Sequence, residues 1–239
     1  MHAPAAHTIP VDLLLRAYRA GVFPMADHRN DEEVYWVEPR ERAIFPLDSL
    51  HISQSLKKTI RQNRFQVTCD RDFASVIAAC AEPREEHAES WISNRIEASY
   101  NALHRAGHAH SIECWEGGRL VGGLYGAAFD RVFCGESMFS RTKDASKVAL
   151  VWLVAAMRDA GYEVLDCQFM TDHLASLGAV AMPQSAYVSL LASATGSGVG
   201  SGAAWGSRGV VGSLPASVSR FASAESPGKS ILQSLTQTS

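Results

Sequence analysis

The 239-residue sequence predicts an α+β fold, with helices first, then a run of antiparallel strands, then a helix–strand–helix close. Three observations carry this. Apolar residues recur at helical spacing through the first hundred positions, alternate with period two between 110 and 139, and return to helical spacing at 145–160. Beyond Ala192 the composition turns Gly/Ser-rich, which sets the folded unit at about 8–191.

The elements follow in order. Residues 11–20 read as a short amphipathic helix with Leu14, Leu15 and Tyr18 inward, stopped by Gly21. A second helix at 56–62 carries Lys57, Arg61 and Arg64 along one side. Phe73, Val76, Ile77 and Cys80 give a third at 72–81. Ile92, Ile96, Ser99 and Leu103 give a fourth at 92–106, closed by Gly107. Residues 110–115 alternate as a strand, Glu116-Gly-Gly118 turns, and strands at 120–129 and 131–139 flank a turn at Asp130. Asp144 is placed to cap a long apolar helix at 145–160, ended by Gly161. A strand at 162–168 and a helix at 171–177, before Gly178, complete the unit, and that strand is expected beside the third. The segment 192–239 offers few apolar residues at any regular period. Ordering it costs backbone entropy with little burial in return, so it is expected to be flexible.

Composition excludes several classes. The chain is 46% hydrophobic and 20% charged, an ordinary globular balance. No apolar run approaches the ~20 residues of a bilayer helix, and residues 1–10 do not read as a signal peptide. The five cysteines are odd in number and never in CxxC spacing, which argues against a disulfide framework or a zinc knuckle and for a reducing, cytoplasmic setting. A net charge of −3 speaks against bulk nucleic-acid binding. Yet Arg40, Arg42, Lys57, Lys58, Arg61 and Arg64 face only Glu41 and Asp48 in the same stretch. That cluster is either a solvated helix face or a surface for an anionic ligand.

Three clusters could carry chemistry. Gly122 and Gly123 interrupt an apolar strand and require either a bulge or a close approach to the backbone. Glu136 is the one acid in Phe133-Cys-Gly-Glu-Ser-Met-Phe139. Alternation sets it on the face of Cys134 and Met138, opposite Phe133 and Phe139, as either an exposed residue or a paired, functional carboxylate. Asp166 and Gln168 share a face of the last strand, next to Glu136 if the strands neighbour. An ionised Asp can orient a Gln amide whose carbonyl then accepts from an attacking amine; a strand end reaching water explains the same pattern. The histidines (His104, His108 and His110 among them) show no zinc spacing, and Ser137 lacks a nucleophile-elbow context.

Taken in order, these segments resemble leucyl/phenylalanyl-tRNA–protein transferase from about Leu13 to Gly178. The shared blocks include Gly21-Val-Phe-Pro-Met25, Tyr35-Trp36, Leu47-Asp-Ser-Leu-His-Ile-Ser53, Gly107-His-Ala-His-Ser-Ile-Glu113 and Leu120-Val-Gly-Gly-Leu-Tyr-Gly126. They continue through Gly135-Glu-Ser-Met-Phe-Ser140, Asp166-Cys-Gln168 and His173-Leu-Ala-Ser-Leu-Gly-Ala179. The resemblance implies a small N-terminal domain (1–63) and a GNAT-like mixed-sheet domain (64–191), to which the composition adds a disordered tail (192–239). It implies transfer of Leu or Phe, sometimes Met, from aminoacyl-tRNA to proteins beginning with Arg or Lys, which marks them for degradation by the N-end rule. No metal or cofactor is implied, because the aminoacyl ester is already activated. Asp166 and Gln168 match the family's aspartate and glutamine, positioning and deprotonating the acceptor amine, with Glu136 pairing its cation. Trp36, Trp91, Leu124 and Phe133 resemble the pocket for the Leu or Phe side chain. Lys57, Lys58, Arg61 and Arg64 would meet tRNA phosphates.

Departures accompany the match. Gln54 stands where an arginine is usual, and Pro183 is followed by Gln184-Ser-Ala-Tyr187 in place of Pro-Arg and a basic-aromatic helix. The Gly/Ser tail lies outside the resemblance. Two rival readings are an acyl-CoA-dependent N-acetyltransferase and a non-catalytic tRNA- or degron-binding protein. The first wants a glycine-rich pyrophosphate loop where Ser140-Arg-Thr-Lys-Asp-Ala-Ser-Lys147 has no glycine. The second conflicts with the intact Glu136, Asp166 and Gln168.

Overall fold

In the computed structural model, which describes residues 8–83, 89–196 and 211–236, α1 (Val11–Arg19) buries Leu14, Leu15 and Tyr18 as their spacing predicts. β1 (Phe23–Met25) and β2 (Tyr35–Val37) form a small antiparallel ribbon, after which the chain enters β3 (Glu41–Phe45). Helix α2 (Gln54–Arg61) starts where the Ser53 hydroxyl accepts the Leu56 N–H, and β4 (Gln66–Cys69) follows it. Asp72 and Ser93 cap α3 (Phe73–Cys80) and α4 (Asn94–Arg105) in the same way.

β5 (Ala109–Glu116), β6 (Arg119–Phe129) and β7 (Val132–Ser140) form the expected antiparallel meander. Helix α5 (Ala145–Ala160) then carries the chain to β8 (Val164–Asp166), which lies parallel beside β7 as expected. The order closes with α6 (Asp172–Leu177), β9 (Val180–Pro183), α7 (Gln184–Thr195), α8 (Leu214–Ala222) and α9 (Pro227–Thr236). The seven strands of the main sheet run β4-β5-β6-β7-β8-β3-β9. One face packs against α2, α5, α8 and α9, the other against α1, α3, α4 and α7.

Several expectations are corrected. The segment beyond Ala192 is not a flexible tail over 211–236: α8 and α9 bury Leu214, Val218, Ile231 and Leu232 in the core beside α5. Those apolar residues recur at helical spacing, and Ser213 accepts the Ala216 N–H as a cap, but Gly/Ser composition averages the signal away. Residues 197–210 lie outside the described ones. A division at 63/64 cuts across the sheet, because β3 is an interior strand between β8 and β9. Asp144 precedes α5 in a left-handed conformation (φ +69°) and makes no side-chain cap bond. The last strand is shorter than 162–168, since Gln168 turns to φ +56°.

The paired glycines of β6 have two causes. Val121 is the extra residue of a bulge, between the pairs Cys114↔Gly122 and Trp115↔Leu120. The approaching atoms belong to the protein: a Cβ on Gly122 would lie 2.4 Å from Cβ of Ala145, and one on Gly123 2.6 Å from the Ile112 carbonyl oxygen. Gly122 thus seats the first turn of α5 on the sheet, while Gly123 accommodates the backbone of β5.

Candidate active site

A second bulge builds the site. In β7, Ser137 pairs with Tyr125 and Gly135 with Gly126, so Glu136 is the extra residue. The expected alternation breaks there. Phe133 packs on the α5 side while Phe139 shares the opposite side with Cys134, so the two phenylalanines do not share a face.

β7 and β8 part at this point. Their pairing ends at Cys134↔Asp166. Beyond it the chain stays with β3, where the Cys167 N–H donates to Ala43 O (2.8 Å) and the Ala43 N–H to Gln168 O (3.0 Å). The opening is a cleft of about 330 Å³. Glu136 and Gln168 provide its central polar groups; Leu150 and Leu153 of α5, Leu124, Trp91 and Met25 supply apolar wall. Phe169 lines the cleft too and meets Phe23 edge-on, with ring centroids 5.6 Å apart.

Glu136 Oε1 accepts from the Tyr18 hydroxyl (2.6 Å) and from Gln168 Nε2 (3.0 Å), and Tyr18 in turn contacts the Tyr100 hydroxyl. Oε2 is shielded from solvent and has no hydrogen-bond partner among the described residues. Burial pushes the Glu136 carboxyl up to about 7, against the opposing hydrogen bond from Tyr18.

Asp166 is fully buried, and among the described residues its carboxylate makes no hydrogen bond to the Gln168 side-chain amide. Its Oδ1 accepts the Gln168 backbone N–H (2.8 Å), while Arg42 and the Tyr187 hydroxyl (2.9 Å to Oδ2) take its other lone pairs. Burial alone would lower the Arg42 pKa; the facing Asp166 carboxylate outweighs it and holds the guanidinium above its usual value. Arg42 is therefore not part of a basic surface. Sequence reasoning missed it as a partner of Asp166, along with Tyr18, Tyr100 and Tyr187. The available signal was slight: Arg42 directly precedes the apolar run Ala43-Ile-Phe45, but it also follows Arg40 and Glu41, which makes it look like surface charge.

Of the four expected pocket residues, Trp91 and Leu124 line the cleft. Trp36 is 41% exposed on β2, and Phe133 is completely buried in the core; neither lines it. On α2, Lys58 and Arg61 are exposed and Lys57 is half-buried, whereas Arg64 is engaged with Glu116 at 3.0 Å. Away from the cleft, the β4–β5 pairing brings one ligand atom each from Cys69, Asp70 and His110 within 4.8 Å of one another. His110 Nδ1 there contacts Asp70 Oδ2 at 2.6 Å.

Two family models match the chain. That of leucyl/phenylalanyl-tRNA protein transferase covers residues 44–192, and that of the family's N-terminal domain covers residues 8–40. A leucyl/phenylalanyl-tRNA–protein transferase of Novosphingobium aromaticivorans is 56% identical over 257 residues, covering 98% of each chain. That of Rhizorhabdus wittichii is 59% identical over 198 residues, covering 83% of this chain and 80% of its own. The solved structure of L-PGS from Bacillus licheniformis aligns with 69% of this chain and 55% of its own at a TM-score of 0.37 and 14% identity, too slight a likeness to inform the fold.

Proposed function

We propose roles for the residues of the cleft from one premise: the chain belongs to the leucyl/phenylalanyl-tRNA–protein transferase family, enzymes that move an amino acid from aminoacyl-tRNA to a protein. The aminoacyl side chain (Leu, Phe or Met) enters the apolar part of the cleft beside Trp91, Leu124, Leu150 and Leu153. Such walls separate substrates by about 1–3 kcal/mol per methylene, which fits tolerance among these three.

The acceptor amine meets Glu136 and Gln168. The observation that carries this is the unpartnered Oε2 of Glu136, since an incoming ammonium supplies the donor that a buried carboxylate oxygen lacks. A carboxyl near 7 is well matched to an α-amine of pKa about 7.7–8.0. The ammonium proton passes to Glu136 and frees the lone pair. Gln168 donates its Nε2–H to Glu136, which leaves its carbonyl oxygen to accept an amine N–H and aim the nitrogen. The nitrogen attacks the ester carbonyl and a C–N bond forms. The ester C–O bond breaks as Glu136 returns its proton to the departing 3′ oxygen of the tRNA, and the nitrogen's surplus proton passes to the freed carboxylate and on to solvent, leaving the neutral amide.

Asp166 acts through Gln168: it grips the backbone N–H and fixes the turn from which the amide projects. The Glu136 carboxylate also favours acceptors whose first residue is Arg or Lys. The product then carries a new N-terminal residue that marks it for degradation in the cytoplasm. Lys57, Lys58 and Arg61 hold tRNA phosphates irrespective of sequence, and Arg64 contributes less because Glu116 occupies it. The ester arrives activated, so this chemistry calls for no metal or cofactor. A GNAT-like architecture belongs to the same proposal, supported by the one parallel pair, β7 with β8, joined by α5 in an otherwise antiparallel sheet.

The test is transfer of radiolabelled Leu from leucyl-tRNA to a peptide beginning with Arg. The wild-type protein transfers; Glu136→Gln loses about 10²–10⁴-fold, the scale of general acid–base catalysis. Undiminished transfer by Glu136→Gln would refute the assignment.

A further inference from the structure

We propose that α9 completes a nucleic-acid phosphate site on the basic face of α2, with Lys229 as its third cation; this rests on the reading of α2 as a tRNA-contacting helix. Residues 211–236 lie outside both ranges matched by the family models, yet α9 docks on α2 with close tolerance. A Cβ on Gly228 would lie 1.9 Å from the Ile60 carbonyl oxygen, so only glycine lets the two backbones approach this far. The Gly228 N–H also donates to Asn63 Oδ1 at 2.7 Å, just past the end of α2. Ile231 and Leu232 are buried in the same core cluster as Leu56 and Ile60.

The docking fixes where the next residue goes. Lys229 is exposed and lines one groove with Lys57 and Arg61, which stand one turn apart on α2. Leu50, Ile52 and Leu232 contribute neutral wall, and no acidic residue lines the groove. That contrasts with exposed arginines elsewhere in the protein. Arg16 pairs with Asp12, Arg19 with Asp130, Arg64 with Glu116 and Arg141 with Glu82. Among the described residues no acid pairs with Lys57, Arg61 or Lys229. Three uncompensated cations converging from two rigid helices suit a phosphodiester, whose charge relieves their mutual repulsion and displaces condensed counterions from the RNA. The ligand is thus the backbone of the tRNA, held without regard to base sequence.

The experiment measures binding of uncharged leucine tRNA to the full chain by fluorescence anisotropy across a salt series. The variants are Lys229→Ala, Lys229→Glu, and a Lys57→Ala/Arg61→Ala double, each checked by circular dichroism for an unchanged melting curve. Lys229→Glu should weaken binding at least tenfold. Lys229→Ala should weaken it several-fold and lower the slope of log affinity against log salt by about one. If the double variant binds poorly while both Lys229 variants bind as wild type, α9 has no part in the site and the reading of α2 survives. If none of the variants loses affinity, both fall.

Discussion

The Arg42 guanidinium and the Asp166 carboxylate meet edge to edge inside the protein, Nε to Oδ1 at 3.0 Å and Nη2 to Oδ2 at 2.7 Å, with neither side chain exposed. The rings of Phe23 and Tyr187 lie 4.8 and 4.4 Å from the guanidinium carbon, and Nη1 donates to the Gly21 carbonyl. A charge pair so enclosed ties β3 to β8 and, through the Gln168 N–H, sets the wall of the cleft.

Removing one partner strands the other charge away from water. Arg42→Met and Asp166→Leu should each destabilise the protein by about 3–5 kcal/mol, whereas the double variant should regain much of that loss. Urea denaturation of the three variants checks this.

Glu136 gives the protein a pH signature of known sign. Its ordinary value is 4.5 and its folded value about 7. Between these the folded protein retains a proton that the unfolded chain has released. Stability from this group is therefore complete below 4.5, falls as pH rises towards 7, and levels off above. Glu136→Gln should abolish that slope and be the more stable protein at pH 8 by a few kcal/mol. In the wild type, kcat/KM should rise through pH 7 as the carboxylate forms. Urea titrations and transfer rates from pH 4 to 8 supply both curves.

Leu124 is 3% exposed and stands on the cleft wall. Leu124→Ala should shift preference from leucyl- towards phenylalanyl-tRNA by about tenfold or more, because the enlarged wall no longer fits the smaller side chain. It should also cost about 2–5 kcal/mol of stability. A competition assay with both charged tRNAs reads the first effect and thermal unfolding the second.

Gly122→Ala forces a Cβ to within 2.4 Å of Ala145. The start of α5 must shift, at a cost of about 1–3 kcal/mol. The melting temperature should fall while tRNA affinity is kept, since the atoms nearest the new Cβ belong to Ala145 and Ser146 of α5.

The parts legible in the sequence are those whose physics is local. Helices α1 to α5 announce themselves by apolar spacing, and the β5–β7 meander by alternation and its turns, whereas the caps at Ser53 and Asp72 emerge only from the structure. Glu136, Asp166 and Gln168 stand out as polar residues in apolar strands; the structure puts Glu136 and Gln168 on the cleft wall and Asp166 behind it, on the Gln168 backbone. What escaped depends on partners remote in sequence. Arg42 looks like surface charge until β3 is known to lie beside β8. The phase of β7 fails because the bulge at Glu136 is set by pairing with β6. Cys69, Asp70 and His110 show no spacing signal because only the β4–β5 register brings them together. The helices α8 and α9 disappear into an average over glycine and serine.

The interior placement of β3 bears on the order of events during synthesis. Arg42 leaves the ribosome well ahead of Asp166, its carboxylate partner, which follows 124 residues later. At about 5–20 residues per second that is a wait of roughly 6–25 s. Through that interval β3 has neither neighbour, because β8 and β9 are still unmade. The meander β5–β7 emerges earlier and can pair within itself, so the nascent chain holds a partial sheet with one open flank beside β7. The early strand must then thread into that flank last, between two strands from the far end of the chain, and the active-site wall is assembled in the same final step.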